Sequence, residues 1–369
     1  MQALDDIENT ILKQLMQADS EAFMGRCFDT INAGAEAVMM SVGHRAGLFD
    51  AMAELKPSSS QAIASEAGLH ERYVREWLAA MVTARIVHYE PRDKTYALPP
   101  AHAACLTRAA ALGNVAVFAQ HVALLGTLQE QTLRCLKTGD GTTYGDYPCF
   151  HQIMAEDSEQ TVVNALSDHI LPLVPGLDAR LQSGIDVLDA GCGRGYAMMA
   201  LAATYPRSHF SGYDLCEDAI TTARQLTASR GLDNLSFEVV NMSDFNEVDR
   251  YDLVTSFDAI HDQRDPQELI RRIEQALRPS GTYLMQDIGG SVRLENNLNF
   301  PVASLFYALS LSHCTPVSIG QGGQGIGAMW GWETAQAMLN EAAFDEVHRH
   351  VLSHDPTNVW FVSRRGGKP

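Results

Sequence analysis

The sequence has no Cys-x-x-Cys pair, no basic-then-apolar leader and no long apolar run. Its seven cysteines are scattered and odd in number, which excludes a disulfide framework or a structural zinc site as the expected design. We therefore predict no metal site and a reducing, cytoplasmic location. The first ten residues, MQALDDIENT, are acidic rather than basic. The most apolar stretch, 115–128, is interrupted by Gln120 and His121 and is shorter than the ~20 residues that cross a bilayer.

Positive charge is also scarce. The chain has 27 Lys and Arg against 45 Asp and Glu, for a formal net charge of -18. This charge repels phosphate backbones and anionic lipids, so we expect neither a nucleic-acid nor a membrane partner. Hydrophobic residues make up 46% and charged residues 20%, as in ordinary globular proteins. A length of 369 residues favours two domains.

The amino-terminal part of the chain has the pattern of a winged helix. Apolar residues recur at helical spacing between residues 21 and 40, two short helices follow, and residues 71–86 form a third. Two short strands around a polar turn, within 87–98, complete the pattern. Winged helices commonly bind DNA, but basic and acidic residues nearly balance across 41–108. We therefore interpret this region as a protein-packing domain.

The composition changes near residues 172–184. Beyond this stretch, short apolar strands alternate with helices, which is typical of a parallel sheet covered by helices on both faces. We predict a helical, winged-helix domain over residues 1–175, which serves dimerisation and caps the pocket. A Rossmann-like α/β domain follows over residues 176–369.

A glycine-rich turn follows the first predicted strand of the second domain. The strand 185–189 leads into the motif D-x-G-x-G-x-G, from Asp189 to Gly195. Glycines allow a sharp turn and a close approach of the backbone to a ligand. The dinucleotide fingerprint would require a glycine where Tyr196 stands. The motif is instead the one that class I methyltransferases use to bind S-adenosylmethionine, whose charged amine suits backbone carbonyls and an acidic side chain.

Further residues at the strand ends complete this pattern. Asp214 ends the second predicted strand, where a carboxylate can accept hydrogen bonds from both ribose hydroxyls. The third strand ends in Asn241 and Met242, an amide and a thioether suited to adenine. The predicted cofactor-binding residues are Asp189, Gly191, Gly193, Gly195, Asp214, Leu215, Asn241, Met242 and Phe257.

With these motifs, the chain resembles the bacterial class I methyltransferases that carry an amino-terminal winged-helix domain, a family with animal relatives. The resemblance includes the segments 42–50, 258–266 and 322–332. The architecture is also similar to plant-type small-molecule O-methyltransferases. The resemblance implies an S-adenosylmethionine cofactor, S-adenosylhomocysteine as its product, a small-molecule acceptor and a homodimer formed through the amino-terminal domain.

The resemblance also implies a catalytic residue. His261 follows the fourth predicted strand and precedes Asp262, as does the general base of plant-type O-methyltransferases, although the next residues, Gln263 and Arg264, depart from that pattern. The alternative is that His261 only packs against the cofactor or caps the following helix. An insertion over 295–314 is expected to roof the pocket. The predicted substrate-pocket residues are Tyr144, Tyr147, Phe306, Tyr307, His313 and Cys314.

The acceptor atom stays open between oxygen and sulfur. The absence of an Asn/Asp-Pro-Pro-Tyr motif after the fourth strand disfavours nucleic-acid methylation. A His-Asp pair suits a hydroxyl acceptor that needs a base. Some relatives with this architecture resemble methylators of small thiols or sulfide, and a thiol pKa near ~8.5 needs little help. On the resemblance alone, we expect a slight preference for a small sulfur nucleophile. A winged-helix regulator that senses S-adenosylmethionine is the alternative of another class.

Overall fold

The structure, a computed structural model, describes residues 2–366 and, among them, the side chains of residues 16–110 and 113–366. The chain divides into two compact units, 1–123 and 124–369. Residues 124–175 therefore belong to the second unit, and the boundary between the units lies earlier in the chain than the one predicted after residue 175. That these residues serve as a pocket cap stays a prediction. Within the described residues, no helix combines the length and the apolar character needed to span a bilayer.

The first unit is helical and contains the predicted hairpin. Its helices are α1 (Gln2–Arg45), α2 (Leu48–Glu54), α3 (Ser60–Glu66), α4 (Glu71–Thr83) and α5 (Pro100–Leu106), and α6 (Val115–Thr127) follows at the junction. The wing consists of β1 (His88–Glu90) and β2 (Thr95–Ala97), which pair in antiparallel fashion. The predicted order of three helices and a wing is confirmed.

A tryptophan on α4 organises the core of this unit. The Trp77 ring packs edge-on against Phe49 at 5.2 Å, and its Nε1 donates to the Met39 carbonyl at 2.9 Å. Gly43 is required beside it, since a Cβ there would lie 2.4 Å from the indole ring. The sequence predicts Ser59 or Ser60 as the cap of α3, and in the structure it is the Ser59 hydroxyl that accepts from the Ala62 amide, at 3.3 Å.

The second unit is built around a seven-stranded sheet. Its helices are α7 (Gln129–Thr138), α8 (Phe150–Thr161), α9 (Leu177–Ser183), α10 (Tyr196–Thr204), α11 (Glu217–Arg230), α12 (Pro266–Ala276), α13 (Ala303–Leu309), α14 (Thr315–Gly320) and α15 (Trp332–Glu341). Its strands are β3 (Asp186–Ala190), β4 (His209–Asp214), β5 (Leu235–Val239), β6 (Tyr251–Phe257), β7 (Leu277–Ile288), β8 (Glu346–Leu352) and β9 (Asp355–Arg364).

The strand order is β5-β4-β3-β6-β7-β9-β8. The first five strands are parallel, whereas β9 runs antiparallel to β7 and β8 antiparallel to β9. The central strands are buried, as parallel strands covered on both faces must be. The chain order reverses between β3 and β6, and ligands of such sheets bind at the carboxyl ends of the strands beside this reversal.

Two features of the sheet differ from the sequence prediction. The Arg-Pro-Ser-Gly sequence at 278–281 predicts a turn before the fifth strand, but these residues lie inside β7, where they form an irregularity: Tyr251 is opposite Leu277, but Leu253 is opposite Thr282. Three residues are thus extruded from the ladder without ending the strand. The antiparallel edge formed by β8 and β9 was not predicted, because their alternation of exposed and buried residues is weak.

Candidate functional site

The glycine loop after β3 has the close packing that its motif requires. Gly191, Gly193 and Gly195 have φ angles of 82°, 52° and 70°, which side chains rarely adopt. A Cβ on Gly191 would lie 2.5 Å from that of Ala259, and one on Gly195 would lie 2.1 Å from the Phe237 ring. The amide of Gly191 donates to the Tyr213 carbonyl at 2.8 Å. The loop backbone therefore packs so closely on its neighbours that a side chain at Gly191 or Gly195 would clash with them.

Asp214, at the end of β4, is tied to this loop. One carboxylate oxygen accepts from the Gly193 amide and the other from the Cys216 amide, each at 2.8 Å. Burial raises the pKa of Asp214, and these two hydrogen bonds oppose the shift. The side chain is thus held in place with acceptor capacity remaining for two ligand hydroxyls. Leu215, next in the chain, is partly exposed.

Asp189 lies at the carboxyl end of β3 and is 2% exposed. The Thr255 hydroxyl donates to its Oδ1 at 2.7 Å. Burial raises the pKa of Asp189 to about 7, against the opposing effect of that hydrogen bond. A buried carboxyl of this kind gains most from a positively charged neighbour. The loop, Asp214 and Asp189 therefore fit a ligand with vicinal hydroxyls and a cationic end, as S-adenosylmethionine has.

The remaining predicted cofactor residues lie at neighbouring strand ends. Asn241 is exposed, and its side chain accepts from the Ser243 amide at 3.0 Å. Met242 is buried and lines a cavity of 220 Å³ with Ser243, Gln263, Arg264, Asp265, Glu268, Leu269 and Arg272. Phe257 ends β6, and its ring packs on Trp360 at 5.9 Å. Their contact with the cofactor stays a prediction.

His261 lies in the turn after β6 and is 2% exposed. Its Nδ1 is 2.8 Å from Asp287 Oδ1, and its Nε2 is 3.2 Å from Asp262 Oδ1. A third carboxylate, Asp258, lies 3.9 Å from Nδ1. Burial alone would lower the pKa of His261, but Asp287 and Asp262 outweigh burial and hold it well above its ordinary value. Since a carboxylate can only accept, the closer pair places a proton on Nδ1 facing Asp287, and Nε2, which meets Asp262 at the longer distance, is the atom that exchanges one.

Asp287 and Asp258 were not singled out from the sequence. Asp287 lies near the end of β7 and is completely buried. Its Oδ1 accepts from three donors: His261 Nδ1, the Trp330 indole at 3.0 Å and the Ile288 amide at 2.8 Å. Asp258 follows β6 with a φ of 53°, a conformation in which a non-glycine residue is strained. For Asp287, the signal available in the sequence was an acidic residue at the end of the fifth predicted strand.

A π-helical turn places two predicted pocket residues. Residues Ser310–Cys314 form this turn between α13 and α14, and such turns recur at functional sites. The His313 ring stacks on Phe150 at 3.8 Å and meets Tyr147 edge-on at 4.4 Å. Its Nδ1 lies 3.7 Å from Asp262 Oδ2. Cys314, the next residue, is buried.

The structure brings four predicted pocket residues together and places two beside them. Tyr144 donates to Asp262 Oδ2 at 3.5 Å, so it joins Tyr147, His313 and Cys314 around the His261-Asp262 pair. Phe306 and Tyr307, on α13, belong to a hydrophobic cluster shared with Cys314, Ile288 and Met329. The Tyr307 hydroxyl accepts from Asn297 at 2.9 Å. Contact of these residues with an acceptor stays a prediction.

Two sets of side chains have the donor types that bind metal ions. The potential ligand atoms of His261, Asp262 and Cys314 lie within 4.8 Å of one another, as do those of Asp258, His261 and Asp287. Burial raises the pKa of Cys314 to about 12, so the thiol is protonated near neutral pH unless a cation binds beside it. Ion pairs with His261 are sufficient to explain why the carboxylates of Asp258, Asp262 and Asp287 lie close together. We retain the prediction that no metal takes part.

Two family models match the chain. Residues 34–108 match the Rv2258c-like winged HTH domain, and residues 181–342 match a methyltransferase domain. A curated relative is the 2-heptyl-1-hydroxyquinolin-4(1H)-one methyltransferase of Mycobacteroides abscessus, 33% identical over 106 residues, which are 27% of this chain and 44% of the relative. The malonyl-[acyl-carrier protein] O-methyltransferase of Bacillus cereus is 25% identical over 32% of this chain and 43% of its own length. The chain thus spans less than half the length of these relatives.

Solved structures resemble nearly the whole chain. Human N-acetylserotonin methyltransferase, solved in complex with S-adenosylmethionine, has a TM-score of 0.65 and 17% identity, covering 92% of this chain and 96% of its own. An O-methyltransferase family protein from Burkholderia thailandensis has a TM-score of 0.65 and 16% identity, covering 94% and 98%. At these identities the likeness establishes the fold, a class I sheet preceded by a winged-helix region.

Proposed function

We propose that this chain, an S-adenosylmethionine-dependent methyltransferase with an amino-terminal winged-helix domain, methylates a hydroxyl group of a small molecule with His261 as general base. The observation that carries the proposal is the buried pair of His261 and Asp287, joined at 2.8 Å. A carboxylate that fixes one imidazole nitrogen leaves the other available for proton transfer. A hydroxyl acceptor needs such a base, because its pKa lies far above neutral pH.

The cofactor residues divide into those that hold the ligand and those that shape its site. When bound, S-adenosylmethionine would supply a methyl group on a sulfonium sulfur, and neutral S-adenosylhomocysteine would be the leaving group. We assign Asp214 to its ribose and Asp189 to the electrostatic balance of its cationic end, with Asn241 and Met242 toward adenine. The glycine loop supports this assignment, because its backbone leaves no space for side chains at Gly191 and Gly195.

The surroundings of His261 suit an acceptor with little water around it. Tyr144, Tyr147, Phe150 and His313 form a continuous set of ring contacts beside the His261-Asp262 pair. Such walls orient a planar acceptor and keep water from competing for the reacting atoms. Because the pKa of His261 is raised, the neutral imidazole that acts as a base forms at more alkaline pH than for an ordinary histidine. We therefore expect turnover to increase toward alkaline pH.

The small-thiol preference drawn from the family resemblance stays a prediction. No contact around His261 is specific for sulfur, and the His261-Asp287 pair would be of limited use to an acceptor that ionises near ~8.5 by itself. The effect of a His261 substitution on turnover therefore distinguishes methylation of a hydroxyl from methylation of a thiol.

The test is a methyl-transfer screen with S-adenosylhomocysteine as the readout. Phenols, carboxylic acids, thiols and sulfide are compared with wild type, His261→Asn and, as a matched control, the exposed His348→Asn. We expect a hydroxyl acceptor whose turnover falls by about 10²-fold or more in His261→Asn alone. Thiol turnover unaffected by His261→Asn would instead support S-methylation. Cofactor binding with no acceptor methylated would favour the regulator that senses S-adenosylmethionine.

A homodimer is our proposal for the assembly. Among the described side chains of helix α1, five large apolar ones are more than half exposed, namely Met16, Phe23, Met24, Phe28 and Ile31. Exposed apolar stripes on a long helix mark protein interfaces more often than free surface. A second copy of α1 would bury them. Light scattering of the wild type and of a Phe28→Glu/Ile31→Glu variant tests this: a dimer that becomes a monomer supports it, and a monomeric wild type rejects it.

We also propose a cytoplasmic location and no nucleic-acid partner. Cys27, Cys105, Cys135, Cys192, Cys216 and Cys314 have free thiols, as expected in a reducing compartment. The net charge of -18 opposes binding to nucleic acid. A duplex-binding assay at low salt checks the second point, since salt-sensitive binding would overturn it.

A further inference from the structure

Trp330 and His261 donate to the same carboxylate oxygen. The indole Nε1 lies 3.0 Å from Asp287 Oδ1, and His261 Nδ1 lies 2.8 Å from it. Both donors and the acceptor are buried: Trp330 is 4% exposed and Asp287 is completely enclosed. The other oxygen, Oδ2, has no hydrogen-bond partner among the residues that the structure describes. All the hydrogen bonds that orient Asp287 therefore converge on the oxygen that orients His261.

The chain around Trp330 is built to fix the indole. The Trp332 amide donates to the Gly290 carbonyl at 2.9 Å. Gly331 has a φ of 87°, and a Cβ there would lie 2.1 Å from the Val292 amide. On the far side, Glu333 accepts from the Val292 amide at 3.0 Å. These contacts hold residues 330–333 against the segment after β7. They place the indole nitrogen of Trp330 against Asp287, which in turn contacts His261.

We propose that Trp330 is a positioning residue for the reaction, acting on His261 through Asp287. The inference rests on the proposed role of His261 as general base. A hydrogen bond to a charged group stabilises that charge, so the indole shares the negative charge of Oδ1 with the imidazole. Without it, Asp287 would draw the imidazole proton more strongly. The other groups facing His261 (Asp258, Asp262 and Cys314) stay in place.

The test is Trp330→Phe, which keeps a large aromatic ring and removes the N–H. We expect the alkaline rise of kcat to shift upward by about 0.5–1 pH unit. We expect kcat near pH 7 to fall about 3–10-fold and to recover as the pH is raised, with cofactor affinity unchanged within about twofold. An NMR titration of the His261 imidazole, performed without acceptor, should show the same upward shift of its pKa.

The matched control is Trp360→Phe. Trp360 is also fully buried, and its Nε1 donates to a buried carboxylate, Asp355, at 3.3 Å. It should lower the melting temperature comparably while leaving the pKa of His261 and the pH profile unchanged.

The outcomes separate this proposal from the one on which it rests. An unchanged His261 titration in folded Trp330→Phe overturns the positioning role and leaves Trp330 as core packing. A shifted titration with an unshifted kcat profile keeps the coupling between Trp330 and His261 but rejects His261 as the base. If Trp330→Phe does not fold, Trp330→His, which can retain a ring N–H, should restore the wild-type titration. Failure of folded Trp330→His to do so also counts against the proposal.

Discussion

The imidazole of His261 and the carboxylate of Asp287 lie 2.8 Å apart, Nδ1 to Oδ1, at the carboxyl ends of β6 and β7. The two residues are 26 positions apart in the chain, and the parallel pairing of the two strands brings them together. The carboxylate fixes the tautomer and the orientation of the ring.

We expect Asp287→Asn to lower kcat by about 10–10²-fold. The amide keeps the size of the side chain but removes the charge that holds the imidazole proton on Nδ1. The measurement is steady-state turnover with cofactor affinity determined separately by calorimetry. Asp355→Asn, at the other buried carboxylate that accepts from a tryptophan, is the control. Equal losses of kcat in the two variants would show that stability, not the base, causes the effect.

From the sequence we predicted site roles for the glycine loop, Asp214 and His261, but not for Asp287 or Trp330. The first group lies in local motifs whose backbone geometry demands particular residues, as at Gly191. Asp287 becomes visible only once the register of β6 against β7 is known. Trp330 requires in addition the path of the segment after β7. The π-helical turn at 310–314 was not predicted from the sequence; in the structure it contacts residues distant in the chain, since Tyr147 donates to its Ser312 carbonyl at 3.1 Å and Phe150 stacks on its His313.

Cofactor binding should weaken as the pH falls below about 7. Burial raises the pKa of Asp189 to about 7, so its carboxyl becomes neutral below that pH and no longer favours a cationic ligand. Calorimetry between pH 5.5 and 8.5 should give a Kd that increases by up to tenfold per pH unit at the acidic end. Asp189→Asn should bind weakly at all pH values. A pH-independent Kd in the wild type would contradict this assignment.

For the stability of the fold, the raised pKa of Asp189 predicts the opposite pH dependence. The folded pKa of Asp189 lies above its unfolded value, so its contribution is fully present below the unfolded pKa near ~3.9 and is lost as the pH rises through about 7. The loss amounts to at most about 1.4 kcal/mol per pH unit. Without cofactor, Asp189→Asn should therefore melt at a higher temperature than wild type at pH 8. The exposed Asp244→Asn is the control, and the same melting temperature in all three proteins would reject the idea.

Alanine substitutions in the glycine loop should differ in severity. Gly191 and Gly193 both have positive φ, so either substitution costs about 1–2 kcal/mol of backbone strain. At Gly191 the new Cβ also meets the Cβ of Ala259 at 2.5 Å, whereas at Gly193 nothing lies within 4 Å. We expect Gly191→Ala to lower the melting temperature more and to raise the cofactor Kd by tenfold or more. Equal effects of the two substitutions would contradict the close approach of the loop to Ala259.

Cys314 should be dispensable for methyl transfer, although it lies beside His261. Burial raises the pKa of its thiol to about 12, and Asp262 adds to this shift. The thiol therefore remains protonated near neutral pH and is a poor nucleophile. We expect kcat of Cys314→Ala within about threefold of wild type, since only a small buried contact is removed.

Alkylation provides an independent measure of the same point. With iodoacetamide at pH 8, peptide mapping should find the exposed Cys105 modified and Cys314 intact in the native protein, and both modified after denaturation. Rapid native alkylation of Cys314 would mean that its thiol ionises more readily than its burial allows. Loss of all turnover in Cys314→Ala, with cofactor affinity and melting temperature preserved, would instead make it a participant in the chemistry. Either result would require different roles for Cys314 and His261 in the reaction.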